Sequence, residues 1–182
     1  MTGKADMAMA GGARGKGGVG AAIVIMGVAG SGKTVVGSAL AARLGVPFGD
    51  ADEFHPAANV AKMSSGIPLD DDDRRPWLDA IGAAIRDTTG GIVVACSALK
   101  RIYRRRILAV AGRPVRFVHL DGDRATLASR LGARTGHFMP ASLLDSQLAT
   151  LEEPTSEAGV CTIDVEATPD AIVAAAVAWL KR

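Results

Sequence analysis

The chain contains few of the features that mark secreted or membrane proteins. Only two cysteines, Cys96 and Cys161, occur in 182 residues, which is too few for a disulfide framework and favours a reducing compartment. The longest apolar stretches, residues 21–29 and 171–180, are shorter than the roughly 18–20 residues of a membrane-spanning helix. Residues 1–20 also lack the apolar segment of a secretory signal. We therefore expect a cytoplasmic protein that makes no membrane contact.

An excess of one charge is also missing from most of the chain. The sequence has 21 Lys and Arg residues against 19 Asp and Glu, a formal net charge of +2. The first twenty residues hold three basic residues and one acidic residue, so the remainder is neutral and gives no sign of a nucleic-acid-binding domain. We expect residues 1–20, rich in Gly and Ala, to form a disordered extension. Residues 21–182 suit a single domain.

Short apolar runs alternate with helical patterns, which is typical of a parallel α/β sheet. The runs predict strands at residues 21–26, 46–49, 92–96, 115–120 and 160–165. The helical patterns lie at residues 34–44, 55–63, 74–86, 99–109, 124–131, 141–151 and 169–180, and Asp123 is a candidate N-cap for the fifth of them. The sequence therefore predicts an α/β fold with a five-stranded parallel sheet flanked by helices.

A phosphate-binding loop follows the first predicted strand. Its sequence, G-V-A-G-S-G-K-T, matches G-x-x-x-x-G-K-[ST] at every fixed position, and a helix follows it. Backbone N–H groups of such a loop surround a phosphate, and the helix directs its positive end at it. A chance glycine-rich turn is the alternative, which the flanking elements disfavour. The predicted cofactor-binding residues are Gly27, Val28, Ala29, Gly30, Ser31, Gly32, Lys33 and Thr34.

The loop predicts ATP and Mg²⁺ as cofactors, with Lys33 reaching the β- and γ-phosphates and Thr34 ligating the metal. A GTPase would need an Asn-Lys-x-Asp motif, but the only asparagine is Asn59 and Val60 follows it. Large motor ATPases need a longer chain. A small-molecule or nucleotide kinase remains.

Two carboxylates follow the second predicted strand, at the sheet edge where α/β proteins bind ligands. Asp50 is the candidate metal ligand, and Asp52 is the candidate base for the acceptor hydroxyl. An Asx-rich turn that caps the next helix is the alternative interpretation. Asp121, at the end of the fourth strand, competes with Asp50 as the metal ligand, although it also fits a turn.

Four segments closely resemble the gluconate kinase (gluconokinase) family. They are residues 26–34, 49–55, 59–78 and 96–100, and residues 130–138 and 147–154 extend the match. The stretches D-x-D-x-F-H-P, D-D-R-x-P-W-L and C-S-A-L-K are much more specific than the phosphate loop. One departure is Ala51, where the family commonly has the glycine of D-G-D; if the turn needs a positive φ, the placement of Asp52 is less certain.

The resemblance implies a P-loop NTPase fold like that of shikimate and nucleoside-monophosphate kinases, with a mobile lid. It implies that ATP phosphorylates D-gluconate at the 6-hydroxyl, which gives 6-phospho-D-gluconate and ADP and feeds the pentose phosphate pathway. Homodimers are common in the family, so a homodimer is one expected assembly. A shikimate-kinase-like enzyme is the alternative within the kinases.

The resemblance also assigns substrate contacts. Arg74 offers a planar fork for the substrate carboxylate, although it could instead pair with aspartates on its own helix. The other substrate residues that the resemblance implies are Asp52, His55, Lys100, His137 and Gln147. The aspartates at 70–73 are interpreted as a solvated helix start that the helix dipole favours, without a chemical role.

Residues 130–139 are identified with the lid of such kinases. Arg130 and Arg134 are predicted as catalytic residues, together with Lys33 and Asp52, because two arginines on one helical face can converge on the transferring phosphoryl group. Nearby glycines would allow the segment to close and exclude water. A basic helix end at the surface is the alternative interpretation.

Residues 100–106 contain five basic side chains and a tyrosine, which suggests RNA contact and hence a nucleotide-binding regulator as a second alternative. Helical spacing favours another interpretation. Ile102, Tyr103, Ile107 and Val110 would form an apolar stripe, with the arginines on a solvated face. We therefore expect small-molecule partners and no nucleic acid.

Overall fold

The computed structural model describes residues 20–133 and 141–182. Five parallel strands form its sheet, in the order β2-β3-β1-β4-β5. They are β1 (Ala22–Met26), β2 (Phe48–Asp50), β3 (Ile92–Ala95), β4 (Val115–Asp121) and β5 (Val160–Asp164). The predicted fold class is therefore confirmed.

Seven helices alternate with the strands in the described residues. They are α1 (Lys33–Leu44), α2 (Ala57–Ser64), α3 (Asp71–Asp87), α4 (Arg101–Ala111), α5 (Arg124–Gly132), α6 (Ala141–Thr150) and α7 (Pro169–Leu180). Asp123 caps α5 by accepting the backbone N–H of Thr126, as expected. Within the described ranges, none of the helices is long and apolar enough to cross a membrane.

Side chains alternate across β1 and divide the core into two layers. Ala22, Val24 and Met26 face a cluster that includes α3 and α4. Ile23 and Ile25 face the opposite cluster, which α1 and α7 supply. Because β1 is central and covered on both faces, its position is fixed by burial, and so is the start of the phosphate loop that follows it.

Some predicted boundaries were wrong, for local reasons. The helix predicted at residues 55–63 is α2, which begins at Ala57, and a separate 3-10 turn, Ala51–Phe54, precedes it. Pro56 holds the preceding His55 in extended conformation (ψ 130°), as a proline does to the residue before it. Helix α3 begins three residues before its predicted start because Asp70 and Asp73 form a reciprocal capping box.

The fourth helix also begins later than predicted. Ala98 has a left-handed backbone (φ 43°), and Lys100 is extended (ψ 148°), so neither residue can belong to a helix. Residues 97–100 therefore form a turn between β3 and α4, which we call the β3–α4 turn, and Lys100 is its last residue. This turn lies at the carboxyl edge of the sheet, beside the phosphate loop.

Candidate functional site

The phosphate loop, residues 27–34, has a backbone that only glycine satisfies at two points. Gly27 has φ 144°, and a Cβ there would lie 2.7 Å from the carbonyl oxygen of Leu120. Gly30 has φ 84°, and a Cβ there would lie 2.8 Å from the carbonyl oxygen of Leu127. These glycines allow the loop to turn between β1 and α1, so the N-terminus of α1 faces the loop.

The carbonyl oxygen of Val28 is the common acceptor for two polar side chains of the loop. It accepts hydrogen bonds from Lys33 Nζ at 2.9 Å and from Ser31 Oγ at 2.9 Å. The Lys33 ammonium group is therefore held at the loop, where a phosphate would need its charge.

Thr34 and Asp50, the two predicted metal ligands, are in contact. Thr34 Oγ1 donates to Asp50 Oδ2 at 3.1 Å, and Asp50 Oδ1 accepts the backbone N–H of Asp52 at 3.1 Å. The described residues contain no group of three or more His, Cys, Asp or Glu side chains that could hold a metal. Mg²⁺ does not need one, because it usually takes one or two protein oxygens and fills its shell with waters and phosphates. The pair fits Mg²⁺ in donor chemistry.

Asp121, the competing candidate, lies elsewhere along the sheet edge. It pairs in register with Asp164 of β5, whereas Asp50 pairs with Ala95 of β3. The contact with Thr34 is made by Asp50, and this geometry favours Asp50.

A cavity of about 160 Å³ joins these groups. Its lining includes Lys33, Thr34, Asp50, Asp52, Cys96, Ser97 and Gln147. The two carboxylates at the end of β2 and the phosphate-loop residues at the start of α1 therefore line one cavity. Asp52 is exposed, so a bound hydroxyl group can reach its carboxylate.

Cys96 and Ser97 were not predicted as site residues. Burial raises the pKa of the Cys96 thiol to about 12, so the thiol stays neutral and is a poor nucleophile. The carbonyl oxygen of Ser97 accepts the backbone N–H of Gly27 at 3.3 Å, which ties the β3–α4 turn to the phosphate loop. The C-S-A-L-K motif was the signal that could have identified both residues.

Gln147 was predicted to contact the substrate, and it lines the same cavity. Its side-chain Oε1 accepts the backbone N–H of Ala29 at 2.6 Å. The structure therefore joins α6 to the phosphate loop through this residue, a contact that the sequence did not predict.

On the acceptor side, His55 stacks on Trp77 with ring centroids 4.4 Å apart and an angle of 7° between the planes. Trp77 Nε1 donates to the carbonyl oxygen of Ala51 at 2.7 Å, which fixes the turn that carries Asp52. Burial lowers the pKa of His55, the charge of Asp52 partly offsets this, and the charge of Arg74 lowers it further. His55 thus lies within reach of both charges.

Arg74 and Lys100 meet at Tyr103. The Arg74 guanidinium lies 5.8 Å from the centre of the Tyr103 ring, and Lys100 Nζ lies 5.6 Å from it. Arg74 also donates to the carbonyl oxygen of Leu69 at 2.5 Å. Lys100 donates to both carboxylate oxygens of Asp71, at 2.8 and 2.9 Å, and the Tyr103 hydroxyl donates to the same carboxylate.

The aspartates at 70–73 form the start of α3, as expected, and Asp71 is exposed, but Asp71 and Asp73 also make ion pairs that the sequence did not predict. The pKa of Asp71 is lowered chiefly by its hydrogen bond from Lys100. Asp73 pairs with Lys62 at 2.7 Å, and that hydrogen bond lowers its pKa. Both partners lie outside the local sequence, so the run of aspartates alone did not identify them.

The predicted lid is only partly within the described residues, because Arg134 and His137 lie outside them. Arg130 Nη2 donates to the carbonyl oxygen of Val165 at 2.5 Å. It lines a second cavity, of about 220 Å³, together with Gly30, Gly32 and Pro169. Arg130 therefore approaches the phosphate loop on a different side from Asp52, and its predicted catalytic role stays a prediction.

The interpretation of the helix after Lys100 was wrong at two residues. Arg104 was expected on a solvated face but is 1% exposed, and Ile102 was expected in the apolar stripe but is 53% exposed. Tyr103 and Ile107 are buried as expected. Arg104 is therefore not available to a basic surface that could bind RNA.

Comparison with known proteins identifies relatives of this chain. The model of the family described as "AAA domain" matches residues 23–154. The gluconokinase of Gluconobacter oxydans (strain 621H) is 49% identical over 154 residues, which cover 83% of this chain and 86% of that protein.

Solved structures of kinases are also similar to this chain. The crystal structure of a gluconokinase from Sinorhizobium meliloti 1021 matches with a TM-score of 0.82 and 49% identity, over 89% of this chain and 92% of that one. A shikimate kinase from Bacteroides thetaiotaomicron matches with a TM-score of 0.65 over 89% of this chain and 99% of that one, but at 16% identity. The second match shows a shared fold alone.

Proposed function

Because the chain belongs to the gluconokinase family, we propose that it transfers the γ-phosphoryl group of ATP to the 6-hydroxyl of D-gluconate, giving 6-phospho-D-gluconate and ADP. The observation that carries the proposal is the single cavity into which the phosphate loop, the Thr34–Asp50 contact and Asp52 all open. A phosphate donor, a divalent metal and an acceptor hydroxyl would each find their groups in that space.

The donor half of the site would bind the phosphates of ATP. Backbone N–H groups of residues 27–34 and the Lys33 ammonium group supply positive charge where the γ-phosphate would lie. Thr34 and Asp50 would hold Mg²⁺, which would neutralise phosphate charge during the transfer.

Asp52 would accept the proton of the attacking hydroxyl group. Its carboxylate is exposed, and its backbone N–H bonds to Asp50, so the base is held beside the metal ligand. The Trp77 hydrogen bond to Ala51 fixes the same turn. A general base must stand within hydrogen-bond reach of the proton that it takes. These two hydrogen bonds restrain the turn and so hold Asp52 in position.

Arg74 and Lys100 would bind the carboxylate and hydroxyl groups of the sugar acid. An anionic substrate needs cationic partners, and these two converge on one tyrosine ring. The present partner of Lys100 is a weak competitor, because Lys100 and Asp71 are 29% and 46% exposed and exposed ion pairs contribute little. His55, beside Asp52 and Arg74, is a further substrate contact, and so is Gln147.

Arg130 keeps its proposed role at the transferring phosphoryl group together with Arg134. In the conformation described, Arg130 would contact the nucleoside part of ATP. Its cavity shares Gly30 and Gly32 with the loop but does not include Asp52, and a planar guanidinium can stack on a base. Arg134 and His137 remain predicted lid residues. We expect the enzyme to work in the cytoplasm, since both cysteines are free thiols, and a homodimer is the expected assembly.

The test is ADP release measured with gluconate, shikimate and nucleoside monophosphates as separate acceptors. Turnover with gluconate and Mg²⁺, abolished by a chelator, is the expected result. Absence of turnover with gluconate would overturn the proposal, and turnover with shikimate instead would favour the alternative kinase. Steeply salt-dependent binding to RNA would support the regulatory alternative.

A further inference from the structure

Arg104 is a buried arginine with every guanidinium N–H group engaged. The side chain is 1% exposed and donates five hydrogen bonds, which matches the number that a guanidinium can donate. Two go to the carboxylate of Glu157, at 2.9 and 2.5 Å, and three go to backbone carbonyl oxygens, those of Ala98 (2.9 Å), Leu99 (3.0 Å) and Glu152 (3.0 Å). A buried charge of this kind is tolerated only when it is fully paired.

Two of those carbonyl groups belong to the β3–α4 turn. Ala98 is the one non-glycine residue with a positive φ in the described part of the chain. Such a conformation is costly for an L side chain and persists only where surrounding contacts impose it. Arg104 supplies two of those contacts, so it holds the turn in a shape that the turn would not adopt alone.

The same turn carries groups that the site uses. The Ser97 carbonyl oxygen accepts the N–H of Gly27 in the phosphate loop, and Lys100 follows at the end of the turn. Any relaxation at Ala98 would move both groups, because they lie within two residues of it.

The opposite side of the turn is held by residues 152–157, which follow α6. Glu152 donates its backbone N–H to the carbonyl oxygen of Leu99 at 2.9 Å, and its side chain accepts the N–H of Arg101 at 2.6 Å. The Glu157 side chain is 17% exposed, and the hydrogen bond from Arg104 lowers its pKa. Arg104 thus joins two segments that are far apart in sequence.

We propose that Arg104 and Glu157 are positioning residues for the acceptor: through the β3–α4 turn they set where Lys100 and Ser97 stand relative to the sugar acid. They act through the turn and do not themselves touch the substrate. The inference rests on the proposed function for its kinetic test, and on geometry alone for the labelling test below.

The kinetic test compares Arg104→Lys and Glu157→Gln with Arg106→Met. Arg106 lies on the same helix and makes a similar two-oxygen ion pair with Asp79, but that pair is exposed. We expect the KM for gluconate to rise about tenfold in Arg104→Lys and about threefold in Glu157→Gln, because small displacements of positioned groups weaken substrate contacts. The KM for ATP should rise less than the KM for gluconate, because the turn meets the phosphate loop through one backbone hydrogen bond, and Arg106→Met should change neither value.

A merely structural role would give a different pattern. Loss of folded enzyme lowers the apparent kcat and leaves the KM of the surviving molecules unchanged. Unchanged KM values for gluconate in both Arg104→Lys and Glu157→Gln would therefore overturn the proposal.

A second readout does not need turnover. Cys96 precedes the turn and is buried, so its thiol should react slowly with a thiol reagent in a Cys161→Ser background. We expect Glu157→Gln to increase that rate severalfold at temperatures well below unfolding, while Arg106→Met leaves it unchanged. An unchanged Cys96 rate in Glu157→Gln would contradict the proposal even if gluconate proved not to be the substrate.

Discussion

The two halves of the site are held together by different kinds of interaction. The donor half is made by backbone conformation: glycines with positive φ and the start of α1 shape a loop of eight residues. The acceptor half is made by side chains that meet from α3, α4 and the turn after β2. A local motif can specify the first half, whereas the second depends on how helices pack.

The halves also differ in how easily their groups can be replaced or can change partners. At Gly27 and Gly30 an added Cβ would collide with backbone, so the donor half tolerates no side chain at these two positions. Lys100 and Asp71 form a partly exposed pair, which water and a substrate can replace at small cost. The comparison suggests a rigid donor site beside an acceptor site that exchanges partners when the sugar acid binds.

The largest effect is expected in the donor half, from Lys33→Met. Removing the ammonium group should reduce kcat by about 10²–10³, because a fixed charge at the transferring phosphate acts mainly in the transition state. Coupled ADP-release kinetics and a thermal unfolding curve measure it, with Lys181→Met as the surface control. Retention of more than half the activity would mean that the loop works without this charge.

A comparable but smaller loss is expected where the halves meet, from Asp52→Asn. The variant keeps the backbone N–H bond to Asp50 but loses the proton acceptor, so kcat should fall by about 10². Glu53→Gln, in the same exposed turn, is the control and should retain activity. If kcat of Asp52→Asn falls by only a few fold, another group takes the proton.

In the acceptor half, Arg74→Lys keeps the charge and removes the planar fork. We expect the KM for gluconate to rise about tenfold with little change in the KM for ATP, because the fork is what matches a carboxylate. Arg75→Lys is the matched control, since Arg75 is exposed and pairs with Asp72 three residues away. Equal rises in both KM values would show that the two halves are not independent.

The smallest effect is expected from pH. Burial lowers the pKa of His119, and the charges of Glu153 and Asp121 only partly offset this, while Arg104 lowers it further. Between the lowered pKa of folded His119 and its unfolded pKa, the folded state therefore binds fewer protons than the unfolded state. Stability is unaffected above the unfolded pKa near 6.5 and falls as pH drops below it, by at most about 1.4 kcal/mol per pH unit for this group.

Thermal unfolding between about pH 7.5 and about pH 5.5 measures this dependence. Replacing His119 by glutamine should reduce the loss of stability across that range. His55→Gln provides a second comparison at the acceptor side, since burial also lowers the pKa of His55. If His119→Gln leaves the slope unchanged, the dependence comes from other groups.

Much of the fold could be predicted from sequence because it depends on local patterns. The bounds of α7 were predicted to the residue, with Pro169 at the first turn. β1 was predicted within one residue because a continuous apolar run suits a central strand. The phosphate loop, Thr34, Asp50 and Asp52 were predicted together because they follow β1 and β2, whose carboxyl ends lie at one edge of the parallel sheet.

The remainder depended on contacts that no local pattern contains. Arg104 looked like one of several solvated arginines, but its partner Glu157 is 53 residues away. Asp71 looked like part of an acidic run, yet Lys100 reaches it from the β3–α4 turn and Tyr103 reaches it from α4. Both were missed because tertiary packing decides which members of a charged run are buried or paired.

The stacking of His55 on Trp77 gives the acceptor half a built-in optical signal. A tryptophan in parallel contact with an imidazole emits according to the position and protonation of that ring, and His55 lies beside Asp52 and Arg74. The other tryptophan, Trp179, lies on α7 with Arg116 over its ring, far along the chain from these groups. With Trp179 replaced by phenylalanine, Trp77 would be the single remaining tryptophan, and its emission would report on the acceptor site directly, without any added label.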